Sequence, residues 1–402
     1  MALGVDRRDG EPTPIFCHGG ADDIGDIHER GHLDGFQLEL PQLRVLPLRR
    51  SGRDRCQILT AAVDATHLRQ AEGGIARYIR GLVAGLRARD DVKVIELGAG
   101  PKEKRGSLRK KLLTAGLDLV WHPWLGRNRA AAVRADVYHC PAPRSPVFGG
   151  RLPVVMTVHD LVPFLFPETM TRWSRTYSRA THRRMAAIAD RIICPSHDTA
   201  RDLVELLGVD EKRVRVIPMG VDAHFFEPPP VSAPPTVPYV LFVGTQERRK
   251  NLERLENAVE ELRRRGFPHE LVLVGADAWG DVRIGKSFVR QIGRVSDSQL
   301  RQLYAGAACL AIPSLHEGFG LPALEAMAVG TPVVAGRAGA LPEVTGGAAV
   351  LVDPLDTVDI ALGLGRAIMA GSAERETGRR RAALFTWEKT AAATLAVYRE
   401  LA

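Results

Sequence analysis

Cysteine is scarce in this chain of 402 residues, and its pattern excludes two kinds of site. The five cysteines lie far apart and never form a C-x-x-C pair, so we expect no disulfide framework and no zinc site of paired cysteines. Apolar runs are short as well, and none reaches the roughly 18 residues that a membrane-spanning helix needs. The first residues turn polar at once, unlike a secretory signal. These absences predict a cytoplasmic protein.

Several short motifs are missing too. There is no D-x-D, and no group of His, Asp and Glu has metal-ligand spacing along the sequence, which predicts a site without a metal. The G-x-G-x-x-G of nicotinamide sites is absent. Zinc spacing, interleaved aromatic residues and a recognition-helix signature are also absent, so we expect no nucleic-acid partner.

Positive charge is concentrated in one part of the chain, whose formal net charge is +8. Residues 56–225 carry 27 basic and 17 acidic side chains, whereas residues 226–402 carry 20 of each. This part is predicted to face something anionic, a membrane surface or a phosphorylated acceptor, and a solvated basic face is the alternative. The dense basic groups are Lys102, Lys104, Arg105, Arg109, Lys110 and Lys111, followed by Arg172, Arg175, Arg179, Arg183 and Arg184.

The first of these groups continues into an apolar and aromatic stretch. Leu112 and Leu113 follow the lysines directly, and Trp121 and Trp124 come shortly after them. This make-up is typical of a segment that lies at a membrane interface. An ordinary basic helix with both tryptophans buried is the alternative.

Apolar runs, turns and amphipathic segments alternate from residue 58 onward. Residues 1–55 lack this order and are predicted to be a disordered extension. Six prolines within 228–238 predict an interdomain linker over 226–238. The alternation on either side predicts two facing, doubly wound α/β domains, 56–225 and 239–385, with a cleft between them. A helix over 386–402 is expected to cross back to the first domain. The predicted strands are 58–63, 92–97, 137–139, 154–158, 191–194, 214–217, 239–243, 271–274, 309–312, 333–335 and 350–352.

The strongest local signal is HEGFGLPALEAMAVGTPVVA, over residues 316–335. After a predicted strand, a glycine loop leads into a helix at residue 321 or 322, and its first amides favour an anion such as phosphate. Glu317 precedes the loop and Glu325 lies one turn into the helix. We expect both to accept hydrogen bonds from ligand hydroxyls, and structural helix charges are the alternative. The loop residues that would approach the ligand are Gly318, Phe319, Gly320 and Leu321.

This stretch resembles glycosyltransferase family 4, whose E-x7-E signature matches Glu317 and Glu325. The resemblance extends over about residues 56–402. It implies the GT-B fold and metal-independent transfer of a sugar, with retained configuration, from a nucleotide diphosphate donor. The two glutamates would then bind sugar and ribose hydroxyls.

VGTQERRKNL, residues 243–252, resembles the family's loop after the first strand of the second domain. There Lys250 would neutralise the donor pyrophosphate, and Arg249 or Arg248 would add a phosphate contact. Thr245 stands where many members have arginine, so some of the phosphate contact is expected to come from Arg249 or Arg248. A surface basic cluster is the alternative for residues 248–250.

Three shorter segments resemble the family as well. In GRVSDSQLRQLY, residues 293–304, Arg294 and Val295 would frame the nucleotide base. The glycine turn of Gly73 and Gly74 would open a helix towards the cleft, where acceptor or donor phosphate can approach; alone it is only a tight turn. His159 ends a predicted strand, where the resemblance implies that it lies by the anomeric carbon, and a structural histidine is the alternative.

The resemblance implies catalytic roles for His159, Glu317 and Lys250, and no cofactor beyond the donor substrate. GDP-mannose is the first expected donor, with UDP-glucose or UDP-N-acetylglucosamine next. The expected acceptor is a glycan or a lipid-linked sugar, reached at the inner face of an anionic membrane. Two other classes stay open. One is a nicotinamide oxidoreductase, which the missing glycine motif opposes. The other is a non-catalytic protein of the same fold that binds sugar or a membrane surface.

Overall fold

A computed structural model describes residues 58–70, 73–98, 121, 125–142, 151–227, 235–276 and 284–402. The predicted extension over 1–55, the basic residues 102–111 with Leu112 and Leu113, Trp124 and residues 228–234 of the predicted linker lie outside this part. The predictions made for them stay predictions.

The first domain is built on a parallel sheet of six strands in the order β2-β1-β3-β4-β5-β6. The strands are short, and the four inner ones are almost entirely buried, as expected of a sheet covered on both faces. The strands predicted for this domain are confirmed, with ends that differ by one residue at most. They are β1 Leu59–Asp64, β2 Val92–Leu97, β3 Val137–Cys140, β4 Val154–Thr157, β5 Arg191–Cys194 and β6 Val214–Val216.

Helices connect these strands, and their ends have the residues that helix ends favour. The helix after β5 begins behind Ser196, whose side chain accepts from the Thr199 amide, and ends at Gly208 in the left-handed conformation, as the sequence predicts. The helices described here are α1 His67–Gln70, α2 Gly74–Arg87, α3 Gly126–Ala132, α4 Val162–Leu165, α5 Arg172–Ile188 and α6 His197–Leu207.

The second domain has a parallel sheet in the order β12-β11-β10-β7-β8-β9. Its edge strand β9 was not predicted. Its middle residues are exposed and only two of its residues are aliphatic, so no apolar run marks it. The other strands match their predictions closely. The set is β7 Tyr239–Val243, β8 Glu270–Val274, β9 Val289–Gly293, β10 Cys309–Ile312, β11 Val333–Gly336 and β12 Val350–Val352.

The helices of the second domain follow the same alternation. The capping box of Ser296 and Gln299 is formed as predicted, with both reciprocal hydrogen bonds present. The helix of the E-x7-E stretch begins at Leu321, behind Gly320 at φ +94°. The helices are α7 Leu252–Arg264, α8 Asp297–Gly306, α9 Leu321–Val329, α10 Leu341–Thr345, α11 Thr357–Ile368 and α12 Ser372–Ala382.

The last helix, α13 Trp387–Arg399, packs on α2 of the first domain. The Trp387 ring occupies the space beside Gly81, where any Cβ would overlap it. Its indole N–H donates to Asp222 at 2.6 Å. Near the end of the helix, the Tyr398 hydroxyl lies 2.6 Å from Nδ1 of His139 on β3. Burial lowers the pKa of His139 to about 3, so this ring is neutral and the bond is a structural one.

One apolar cluster joins the two domains beneath the cleft. It combines side chains of the first sheet and α2 with side chains of α8, α9 and α13. Within the described ranges, no helix is long and apolar enough to span a bilayer. Trp121 is half-buried against the core of the first domain and donates its indole N–H to Asp64 at 3.2 Å, which agrees with packing rather than with an interfacial role.

Candidate active site

The glycine loop of the second domain lies directly against the first domain. The Gly318 carbonyl accepts hydrogen bonds from the hydroxyls of Ser196, at 2.7 Å, and Thr199, at 3.1 Å. Gly318 leaves no room for a side chain, because a Cβ there would overlap the carbonyl oxygen of His159. Residues 317–321 are all buried. The loop is therefore held at the floor of the cleft by contacts from both domains.

Glu317 is the centre of a buried charged group at this loop. Its carboxylate accepts from Lys250 Nζ, from Arg249 Nη1 at 3.2 Å and from the Ser314 hydroxyl at 2.7 Å. Burial opposes the charged form, but Lys250 and Arg249 outweigh it and lower the pKa of Glu317 to about 2. The glutamate is thus ionised and gathers two cations at one point, as an anion-binding site requires.

The turn that carries these cations is fixed by Asn251. β7 ends at Val243, and a 3-10 turn, Arg248–Lys250, follows. Asn251 adopts φ +62°, and its side-chain amide donates to the carbonyls of Pro313, at 3.0 Å, and Pro354. This anchoring explains why an asparagine tolerates the left-handed conformation here.

Within the turn the two arginines differ. Arg249 faces inward and also donates to the His316 carbonyl at 3.1 Å, whereas Arg248 is exposed. Thr245 is half-buried at the start of the loop. Of the two arginines considered for a phosphate contact, Arg249 is thus the one that the fold directs to the loop.

His159 reaches the same place from the first domain. It follows β4, and its Nε2 lies 2.9 Å from the Pro141 carbonyl, so that Nε2 carries the proton. The ring stands edge-on to Tyr78 at 4.9 Å. Burial lowers the pKa of His159 and the Pro141 contact opposes this only in part, so the ring is neutral near pH 7.

Glu325 does not lie open to a ligand. Its carboxylate accepts from Arg77 of α2 and, at 3.0 Å, from the Tyr304 hydroxyl. Arg77 also contacts Asp297, and its Nε lies 3.6 Å from Asp222. Arg77 belongs to the glycine-turn segment but was assigned no role from the sequence. It links the two domains through the second glutamate of the signature.

The remaining predicted residues lie around this link. Gly74 begins α2 one turn before Arg77, and a Cβ on it would meet nothing within 4 Å, which leaves space above the turn. Arg294 is exposed, and Val295 is half-buried against the apolar cluster just before α8. Since Arg77 contacts the first residue of α8, the glycine turn and the predicted base-binding segment border one region.

Comparisons with known proteins identify the family. Residues 72–225 match the family described as "Glycosyltransferase Family 4", and residues 237–369 match "Glycosyl transferases group 1". The chain is 30% identical, over 319 residues, to the O-antigen chain mannosyltransferase B of Escherichia coli, covering 73% of this chain and 82% of that protein. The chain belongs to glycosyltransferase family 4. The family and the enzyme class predicted from the sequence are thereby confirmed.

A second relative of this glycosyltransferase matches a shorter part of the chain at higher identity. The MMP alpha-(1->4)-mannosyltransferase of Mycolicibacterium hassiacum is 36% identical over 229 residues, which cover 54% of this chain and 55% of that protein. The chain thus spans about half the length of this relative.

Solved structures show the same architecture. Sucrose-phosphate synthase from Thermosynechococcus elongatus superposes with a TM-score of 0.64 at 22% identity, over 85% of this chain and 99% of that one. Anabaena HepE in complex with UDP-glucose superposes with a TM-score of 0.63 at 19% identity, over 85% of this chain and 100% of that one. The predicted GT-B fold is confirmed.

One group of polar side chains near the glycine loop was missed from the sequence. Asp198 and Asp202, one turn apart on α6, face His316, which directly precedes Glu317. Asp198 and Asp202 belong to one domain and His316 to the other, so no spacing along the chain marks them. Their i, i+4 relation on one helix is the only local signal that the sequence offers.

Proposed function

We propose that this glycosyltransferase moves a hexose, mannose in the first place, from a nucleoside diphosphate donor to a glycan or lipid-linked acceptor. The observation that carries the proposal is the convergence of Lys250, Arg249 and Glu317 at the buried glycine loop, with His159 of the other domain against it. Both cations, the start of α9 and the segment that follows β4 then meet at one point of the cleft. This is the arrangement that a diphosphate leaving group requires.

The proposed role of Lys250 and Arg249 is to hold the donor pyrophosphate. An ammonium group has three donors, and Lys250 uses one on Glu317, so it keeps donors for phosphate oxygens. Glu317 holds both cations in place before the donor arrives. The start of α9 adds the positive end of a helix dipole at the same loop. Side chains and the helix thus supply the charge that a divalent ion would otherwise provide, and the transfer is proposed to be metal-independent.

Retention of configuration is proposed from the family resemblance, and the state of the two signature carboxylates bears on how it would be achieved. Glu317 is engaged by two cations, and Glu325 by Arg77 and Tyr304. A nucleophile for a covalent intermediate needs a free, activated carboxylate. Same-face attack on a departing diphosphate therefore fits the site better. The neutral ring or the carbonyl of His159 would face the charge that develops at the anomeric carbon.

Mannose is favoured as the sugar because both relatives described above are mannosyltransferases by name, and GDP is proposed as its nucleotide from the family resemblance. UDP-glucose is the second candidate, since the neighbouring HepE structure holds it. UDP-N-acetylglucosamine ranks with UDP-glucose as the second candidate donor.

For the acceptor we propose a substrate at an anionic membrane surface, approached through α5. Trp173 is 80% exposed on this helix. The helix has no acidic residue, and Arg172, Arg183 and Arg184 are exposed along it. A basic helix with an outward tryptophan is typical of interfacial binding. Co-sedimentation with vesicles of 30% anionic lipid should be lost in a Trp173→Ser, Arg184→Glu variant; equal pelleting of this variant and the wild type would contradict the assignment to α5.

A thermal-shift panel tests the donor site, because a ligand that binds only the folded state raises the melting temperature. GDP-, UDP-, ADP- and dTDP-sugars are compared, and GDP-mannose is expected to give the largest shift. Lys250→Ala should abolish the shift, whereas Arg248→Ala, the exposed neighbour in the same turn, should keep it. A shift without release of nucleoside diphosphate would favour a non-catalytic binding protein. A shift with none of the four would contradict the proposal.

A further inference from the structure

The group of Asp198, Asp202 and His316 lies beside the donor site but takes no part in the roles proposed there. His316 Nδ1 is 3.9 Å from Asp198 Oδ2, and His316 Nε2 is 3.8 Å from Asp202 Oδ2. These separations exceed hydrogen-bond length. One ligand atom from each side chain can be chosen so that all three lie within 4.8 Å of one another.

The three side chains leave their facing atoms without partners. His316 is 7% exposed and Asp202 is 9% exposed. Asp198 Oδ2, Asp202 Oδ2 and His316 Nε2 are all buried and make no hydrogen bond. Asp198 uses only its other oxygen, on the exposed Arg201. Buried polar atoms without partners are rare in folded proteins, and the burial of neighbouring carboxylate oxygens that face no hydrogen-bond donor is costly.

We propose that Asp198, Asp202 and His316 bind a divalent transition-metal ion, such as Zn²⁺ or Mn²⁺, that fastens the two domains together. One imidazole and two carboxylates form a mixed nitrogen and oxygen set that suits these ions. With metal–ligand bonds of about 2.1 Å, ligands around a tetrahedral ion lie about 3.4 Å apart. A single ion takes only one of the two ring nitrogens, and the three candidate ligand atoms lie within 4.8 Å of one another, so they need to close by up to about 1.4 Å around the ion.

At this position, the proposed ion would have a structural role. His316 directly precedes Glu317, and its carbonyl accepts from Arg249. The start of α6 already holds the Gly318 carbonyl through Ser196 and Thr199. An ion between α6 and His316 would therefore fix the glycine loop to the first domain. The inference does not depend on the identity of the donor.

Titration calorimetry of the untagged full-length protein, stripped with EDTA and dialysed, tests the site with Zn²⁺ alone. The wild type is expected to bind one equivalent tightly, and the melting temperature should rise with it. Asp202→Asn, which keeps the side-chain volume, should weaken binding at least 10- to 100-fold. Glu205→Gln, an exposed change on the same helix, is the matched control and should bind like the wild type.

A second readout keeps the proposal testable if Asp202→Asn folds poorly. Co²⁺ added to the stripped wild type should give visible absorption bands of an ion with mixed nitrogen and oxygen ligands, and Zn²⁺ should remove them. Absence of a stoichiometric Zn²⁺ site in the wild type would overturn the proposal. Equal affinity in the wild type and a folded Asp202→Asn would overturn it as well.

Discussion

Gly318→Ala is a small change that should separate catalysis from folding. The added methyl would overlap the carbonyl oxygen of His159 and lie 3.0 Å from the Asp160 Cβ. Backbone cannot swing aside as a flexible side chain can, so the loop and the end of β4 must move apart by about 1 Å, a misplacement that can lower a rate about 100-fold. The same movement would stretch the hydrogen bonds from Ser196 and Thr199 to the Gly318 carbonyl.

The assay is release of nucleoside diphosphate at saturating acceptor, with kcat/KM as the readout. Gly285→Ala is the matched control, because a Cβ there would meet nothing within 4 Å and its backbone φ is not in the left-handed region. We expect Gly318→Ala to lose about 100-fold in kcat/KM while circular dichroism stays unchanged, and Gly285→Ala to lose little. A Gly318→Ala protein with wild-type kcat/KM would refute the claim that the two domains meet at this loop during catalysis.

Further changes test other parts of the account. Lys250→Ala should lower kcat/KM on the order of 100-fold or more, measured by diphosphate release, and a rate near that of the wild type would remove Lys250 from the site. His159→Ala should lower kcat more than it raises KM in steady-state kinetics, because its proposed role lies in the transition state. A raised KM with unchanged kcat would indicate that His159 only binds the substrate. In an Asp202→Asn background, where binding of the proposed interdomain ion is weakened, EDTA and added Mg²⁺ should leave kcat unchanged, and a rate restored by Mg²⁺ would contradict metal-independent transfer. Trp387→Ala should lower the free energy of unfolding by about 3–5 kcal/mol, measured by urea denaturation, since the buried ring holds α13 against Gly81; a loss below 1 kcal/mol would mean that the helix is not anchored there.

The sequence was sufficient wherever a feature depends on neighbours in the chain. The ends of α6 at Ser196 and Gly208 and the capping box of Ser296 and Gln299 are local signals, and both were predicted correctly. The start of α9 behind Gly320 is another. Buried strands were predicted because their apolar runs are continuous. The edge strand β9 was missed because most of its side chains face solvent.

Contacts between distant parts of the chain could not be predicted in this way. Glu325 was expected to face ligand hydroxyls, yet its carboxylate meets Arg77, 248 positions earlier. His316 and the two aspartates of α6 come together only once the domains face each other. The pairing of Glu317 with Lys250 has a similar cause, since it joins the loops after two neighbouring strands, β7 and β10. The family signature predicted the candidate site residues, and the fold shows which of them form hydrogen bonds and ion pairs with one another.

Whether the buried group of Lys250, Arg249 and Glu317 is a donor-phosphate site is tested most directly by a transfer measurement. Purified protein is incubated with each nucleotide sugar of the panel and a membrane extract as acceptor source, and release of the nucleoside diphosphate is followed for the wild type, Lys250→Ala and Arg248→Ala. We predict release by the wild type and Arg248→Ala, with GDP-mannose as the best donor, and almost none by Lys250→Ala. Equal release by all three proteins, or none from any nucleotide sugar, would contradict the account.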